Sequence, residues 1–257
     1  MQKLKRLLLF VCLAPLMLQA QDDEIQTDRP SASFSPQVVP KKHFQVEVGL
    51  RKEYDKYNGQ KHEEYLYPTA LIKYGLSKKI ELRMLIEDEG DYDYTPDKHE
   101  TASGLKPLQF GFKYNLFEEK GGLPNTSFIA SAALPKLASP DFKGDYVAPA
   151  FRLAMQHSIS RKVSLNYNLG VEWESNDVHA QYIYTLSPQF ELTNKLKGFV
   201  EVYGFISGQE GADHRFDAGL LYLIRPNWQV DISGGLGITK SAPNNFIEAG
   251  VSFRLPR

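Results

Sequence analysis

Residues 162–175 read KVSLNYNLGVEWES. Val163, Leu165, Tyr167, Leu169, Val171 and Trp173 form one set, apolar or aromatic; Ser164, Asn166, Asn168, Gly170, Glu172 and Glu174 form the other, small or polar. A period of two held over this length specifies a β-strand with one apolar face. The fold turns on what that face touches, a protein core or hydrocarbon.

The pattern recurs near 43–54, 64–76, 79–88, 105–116, 125–135, 146–157, 180–192, 198–207, 215–224, 228–238 and 245–255, giving about twelve strands of roughly 10–13 residues. The run near 125–135 is the weakest, with Ala and Ser on both faces. Strands of soluble proteins centre on about 5–6 residues, whereas tilted membrane strands need about 9–11. The connectors alternate as well. Ser77-Lys78, 158–161, 193–197 and 225–227 are short and carry basic residues; 117–122 is a less tidy short turn. Longer polar loops are expected near 55–63, 88–103, 136–145, 208–214 and 239–244. Short turns on one rim and longer loops on the other, with an even strand count, are the pattern of an outer-membrane barrel.

Charge and hydropathy agree with this reading. The chain has 257 residues, a formal net charge of −1 and 42% hydrophobic residues. Its mean hydropathy is −0.38. No stretch beyond residue 20 is apolar enough for a membrane helix, but a barrel needs only every second residue to face lipid. The near-zero charge argues against broad nucleic-acid binding. The expected fold is therefore all-β: a transmembrane antiparallel up-and-down β-barrel of about 12 strands in a bacterial outer membrane. The competing reading is a secreted soluble β-protein whose apolar faces pack against one another.

Residues 1–20 have a basic start (Lys3, Lys5, Arg6), a short apolar run from Leu7 to Leu18, and Leu18-Gln19-Ala20 as a cleavage site. They read as a signal peptide. Cys12, the one cysteine, falls inside it, so no disulfide, thiolate metal site or cysteine nucleophile is expected in the mature chain. Residues 21–42 carry three prolines and no period; they are expected to be a periplasmic or lumen-entering segment. Residues 43–257 form the barrel.

Several short motifs also resemble a known family. They are Thr27-Asp28-Arg29-Pro30, Val39-Pro40, 44–49 (FQVEVG), Tyr67-Pro68-Thr69 with 73–76 (KYGL), 81–83 (ELR), 166–170 (NYNLG), 231–235 (DISGG) and 250–255 (GVSFRL). Together they are similar to outer-membrane proteins of the MetA-pathway of phenol degradation family. The resemblance covers nearly all of the mature chain. It implies an outer-membrane barrel passing aromatic or other small apolar compounds, and brings no catalytic or binding residues with it. The chain departs from many barrels at its end, where Phe253 is followed by Arg254-Leu255-Pro256-Arg257 instead of closing on an aromatic.

With this phase the polar faces line a lumen. The candidate lining residues are Glu47, Arg51, Tyr65, Tyr67, Lys73, Glu81, Arg83, Lys113, Arg152, Glu172, Glu174, Glu191, Glu201, Tyr203, Asp217, Asp231, Glu248 and Arg254, with Glu87, Phe199 and Phe205 on the same face. A Lys or Arg facing lipid at the midplane costs about 2–4 kcal/mol, which fixes the inward assignment. Two outcomes remain open. Opposite charges pair across the lumen and plug it with residues 21–42, giving a structural barrel; or they leave a narrow path for neutral or cationic solutes. The expected partners are outer-membrane lipid, a small-molecule solute and the barrel assembly machinery.

Chemistry beyond passage finds little support. Residues 87–97 (EDEGDYDYTPD) begin like a calcium loop at Asp91-x-Asp93 but lack its glycine and final glutamate, and read as a solvated loop. His157 with Ser158 or Ser160 could be imagined as a rim lipid hydrolase, yet no Gly-x-Ser-x-Gly elbow or orienting residue is legible. No metal or cofactor motif is found, and no enzyme is expected.

Overall fold

The computed structural model describes residues 24–57, 60–94, 99–208 and 211–255. Residues 1–20, expected as a signal peptide, lie outside this range. The strand segments are β1 (Phe44–Tyr57), β2 (Gln60–Gly75), β3 (Ile80–Tyr94), β4 (His99–Leu105), β5 (Leu108–Phe117), β6 (Asn125–Leu134), β7 (Ala148–Ser158), β8 (Val163–Glu174), β9 (Asp177–Glu191), β10 (Leu196–Ser207), β11 (Asp213–Arg225), β12 (Trp228–Gly237) and β13 (Asn245–Leu255). β4 and β5 both pair with β3, β4 along Asp88–Tyr94 and β5 along Ile80–Leu85. They are two halves of one stave, interrupted at Lys106-Pro107, where proline has no N–H for the ladder. β1 pairs with β13 and each stave runs antiparallel to the next. The result is a closed barrel of 12 strands.

The opening stretch is β8. Its two sets of residues meet different surroundings: Asn166 and Asn168 are 2% and 1% exposed, while Leu169 is 58% exposed. The same inversion runs around the barrel. Lys73, Lys113, Glu81 and Ser127 are buried, and Leu50, Phe112, Tyr182, Ile232 and Ile247 lie open on the outside. A soluble protein buries Leu and exposes Lys. This barrel does the reverse, which is stable only where hydrocarbon meets the outer face.

Two expectations need correction. Tyr65 and Tyr67 are not in the lumen. Pairing on both sides of β2 slips between Leu66 and Thr69, so Gly49 faces Thr69 but Arg51 faces Leu66. The bulge inserts one residue and inverts the phase beyond it. Tyr65 therefore turns outward, edge-on to Tyr67 and Tyr92 at 6.2 and 5.6 Å, with the Lys52 ammonium 4.9 Å from its ring. Tyr67 is 41% exposed, and Leu66 takes the inward place.

The second correction concerns the polar stretches 55–63 and 88–103. Much of each is ladder, because β1, β2, β3 and β4 continue past the apolar belt. Cross-strand pairs hold these hairpins: Lys52 Nζ to Glu63 at 2.9 Å and His62 Nδ1 to Asp93 at 2.9 Å. Such pairs stabilise strands that have no lipid or core to bury against. The connections 76–79, 118–124, 159–162, 192–195 and 226–227 lie on one rim, here the turn rim; the expected contrast in length is partial, because 175–176 on the opposite rim has only two residues. The hairpins and the 135–147 connection, with two short 3-10 turns, form the loop rim.

Candidate functional site

Residues 24–42 run inside the barrel. The Ile25 N–H donates to the Pro226 carbonyl at the turn rim, 2.7 Å, and the Lys42 N–H to the Gly75 carbonyl, also 2.7 Å. Between these points the chain rises to mid-lumen and returns. With prolines at 30, 36 and 40 and no period, it makes no ladder of its own, so its buried N–H groups need side-chain acceptors. The inward acids and amides supply them. Asp28 and Arg29 N–H donate to Glu47 Oε2 at 3.0 and 3.1 Å. Ala32 and Ser33 N–H donate to the two Glu201 oxygens at 2.7 and 2.9 Å. Phe34 N–H donates to Asn168 Oδ1 at 2.7 Å and Val39 N–H to Glu81 Oε2 at 2.8 Å.

Asp28 is the electrostatic hub. Its carboxylate lies 2.9 Å from Lys73 Nζ, 2.8 Å from Arg83 Nη1 and 3.3 Å from Lys113 Nζ, all nearly or fully buried. Glu81 shares Arg83 at 2.8 Å, and Glu47 shares Lys73. Arg29 reaches across to Asp231 at 3.2 Å and Glu248 at 3.7 Å. It fits because Gly49 and Gly250, direct register partners, leave its guanidinium room: a Cβ on Gly250 would sit 2.4 Å from Arg29 Nε. Phe34 is clasped by two guanidiniums, Arg152 at 4.3 Å and Arg83 at 5.1 Å from its ring centre.

The candidate residues thus sort by depth. Glu47, Lys73, Glu81, Arg83, Lys113, Arg152, Glu201 and Asp231 contact or flank the N-terminal segment. Arg51, Tyr203, Asp217 and Glu248 line a cavity of about 290 Å³ on the loop-rim side of it. Glu172 and Glu174 border a wider vestibule of about 560 Å³ nearer the loop rim. Glu191 is exposed at a third cavity of about 220 Å³ at the turn rim, and Arg254 is buried near that rim, where Asn227 donates to its carbonyl. Phe199 is buried and Phe205 lines the first cavity. Tyr65 and Tyr67 stand outside, as above.

The first cavity and the vestibule share Glu87 and Gln109 as walls. The first and third share none; residues 28–32 and Phe34 border one, and Gln26 and Gln37 the other. The segment is what lies between them. Alternation alone missed the hub Asp28 and the apolar wall residues Leu66, Leu71, Leu85 and Ile129. Asp28-Arg29 between Thr27 and Pro30 was the available signal: two charged residues in an aperiodic stretch that enters the lumen call for charged partners on the wall.

The remaining candidates are placed elsewhere. His157 is stacked on Tyr167, with Nδ1 3.2 Å from the Tyr167 hydroxyl and Nε2 3.3 Å from the Gly122 carbonyl. The Ser158 hydroxyl donates to Glu119 at 2.7 Å, so the hydroxyl–imidazole pair a hydrolase requires is not made. Asp91 and Asp93 lie on β3, not in a loop, and face His62, with Nδ1–O distances of 3.4 and 2.9 Å. Burial alone would lower the His62 pKa, but the Asp93 hydrogen bond and the two carboxylate charges outweigh it and raise it above 6.5.

Fold and site together define a transmembrane β-barrel whose lumen is crossed by its own N-terminal segment. The chain belongs to the family described as "Putative MetA-pathway of phenol degradation", which matches residues 27–255. Among solved structures it resembles the COG4313 outer membrane channel from Pseudomonas putida F1. That match has a TM-score of 0.63 and 10% identity, covering 93% of this chain and 100% of that one. The translocator domain of the autotransporter NalP from Neisseria meningitidis superposes with a TM-score of 0.54 at 11% identity, over 83% of this chain and 88% of that one. The NanC porin does so with 0.52 at 10% identity, over 82% and 100%. At such identities the likeness is one of fold. No curated protein matches the chain.

Proposed function

We propose that the protein is a passive outer-membrane channel for small solutes, aromatic or otherwise weakly polar, exported by the signal peptide at 1–20, with the turn rim toward the periplasm. The carrying observation is the arrangement of cavities. The vestibule and the chamber over the segment adjoin at Glu87 and Gln109, and a further cavity opens beyond the segment at the turn rim. Residues 24–42 and the wall side chains packed on them, such as Lys73, Glu81, Lys113 and Asn168, separate it from the chamber. In this reading the segment sets the resting state and passage follows its displacement, with no covalent chemistry. The family's description and the channels and porins among its structural relatives support the assignment.

The dense pairing around Asp28 favours a second reading, a structural barrel with a permanently closed lumen. A reversible lock separates the two. Ser33 Oγ and Thr185 Oγ1 lie 2.6 Å apart, so cysteines at both positions would tether the segment to β9. In planar bilayers the reduced S33C/T185C protein should give conductance steps that vanish on oxidation and return with dithiothreitol. Proteoliposomes should swell in phenylalanine only when reduced. No steps and no swelling in either state would refute the channel.

A further inference from the structure

The chamber over the N-terminal segment has an asymmetry in its charges. Every guanidinium on its wall has a carboxylate partner, although the Nε of Arg29 and of Arg51 is left without an acceptor: Arg29 pairs with Asp231, Arg83 with Asp28 and Glu81, Arg51 with Glu248, and Arg215 with Glu53 and Asp213. Two of its carboxylates have no such partner. The side chains of Glu87, half-buried, and Asp217, only 2% exposed, make no ion pair or hydrogen bond among the described residues, and Asp217 has an orphaned buried Oδ1. The ammonium near Glu87 is also spent, since Lys106 Nζ sits 2.7 Å from Glu89. A buried carboxylate without a partner is costly, and a cationic ligand would remove that cost.

The rest of the wall says what kind of cation. Leu66, Leu71, Leu85 and Ile129 turn apolar side chains into the lumen, and Tyr203 meets Phe205 edge to face at 5.9 Å. A hydrated metal ion would gain nothing from these surfaces. An apolar or aromatic body would bury against them, and ring faces also attract ammonium groups. Glu87 borders both the vestibule and the chamber, so a cation passing from the vestibule, with its Glu172 and Glu174, into the chamber passes Glu87.

We infer that this chamber binds amphipathic organic cations, an apolar or aromatic body carrying an amine or quaternary ammonium, with Glu87 and Asp217 as its counter-charges. The inference deepens the proposed channel by naming a solute class and rests on that reading.

The test uses the full-length mature protein in zwitterionic nanodiscs, with empty nanodiscs as reference. Calorimetric titration compares benzyltrimethylammonium, benzyl alcohol and benzenesulfonate. The cation should bind about tenfold or more tighter than the neutral alcohol, the scale of one charge-assisted contact, and the anion not at all. E87Q and D217N, singly and together, should weaken the cation about tenfold or more and leave benzyl alcohol unchanged. Both substitutions remove unpaired charges, so the barrel should fold, and heat-modifiable gel migration checks it. Equal affinity for cation and alcohol, or a double variant that binds the cation like the wild type, would overturn the inference. Bilayer recordings on the same protein separate the two claims: conductance without cation preference removes only the binding site, and cation binding without conductance removes only the channel.

Discussion

Neutralising Asp28 is the sharpest perturbation of the seated segment. Its carboxylate is about 2% exposed and faces three cations, Lys73, Arg83 and Lys113, with Glu47 and Glu81 as the other acids in contact. Asp28→Asn keeps the shape and leaves two acids for three buried cations. Removing one partner of a buried pair costs about 3–5 kcal/mol, because the charge left behind is uncompensated. Displacing the segment admits water to those cations, so most of that cost falls on the seated state alone. A shift of about 3 kcal/mol moves the seated-to-released ratio more than a hundredfold. Planar-bilayer open probability and protease cleavage within 24–42 should both rise sharply. Lys73→Met in the same chain restores the balance of charges without touching the segment's backbone, since among the described residues Lys73 Nζ meets only Asp28 and Glu47, and should return both readouts most of the way, the coupling expected of a direct interaction. If Asp28→Asn matches the wild type in both measurements, or if the double variant is no closer to it, the hub does not hold the segment.

Other perturbations address separate links. Gly49→Ala places a methyl where the Arg29 guanidinium lies and meets no backbone atom closer than that side chain, so Arg29 should leave Asp231 and the segment should become more protease-sensitive while the barrel folds normally; unchanged sensitivity would count against the fit. Leu169→Arg puts a charge on the outer face at a residue 58% exposed, and should lower folding stability in lipid vesicles by about 2–4 kcal/mol if the site is near the midplane, whereas a dry protein interface there would abolish folding. His62, on the hairpin above the apolar belt, has a raised pKa, so its contribution is complete below about 6.5 and fades as pH climbs through the folded value. Amide protection of β2 and β3 above the belt should fall over that range, and His62→Gln should remove the pH dependence.

Much of the fold was legible because a barrel repeats one local rule. Each stave must show lipid an apolar residue at every second position, and Val163 to Trp173 does so without interruption. The rule failed where the backbone departs from period two. At Tyr67-Pro68 one extra residue inverts the face, and nothing local distinguishes Tyr65 facing a lumen from Tyr65 facing a girdle of tyrosines. It also failed above the belt, where 88–94 and 99–103 are polar on both faces and yet paired, since Lys, Asp and Tyr in water satisfy a ladder as well as a loop.

The site was legible by face and not by partner. Alternation puts Glu201 and Glu47 inside but says nothing of what they meet, because that depends on which staves stand opposite once the ring closes. Asp28 and Lys113 are 85 residues apart, and Arg29 and Asp231 are 202 apart. The excess of acids inside reads at first as a field for passing ions. In the folded barrel many of those acids are already used: Glu47, Glu81 and Glu201 accept the N–H groups of a segment that cannot pair with itself. The carboxylates of the chamber therefore divide into those engaged by the segment or by an arginine and those, Glu87 and Asp217, left facing the cavity. Any charge selectivity of the chamber must come from the second group, with Glu172 and Glu174 acting ahead of it in the vestibule, because the first is neutralised for as long as the segment stays in place.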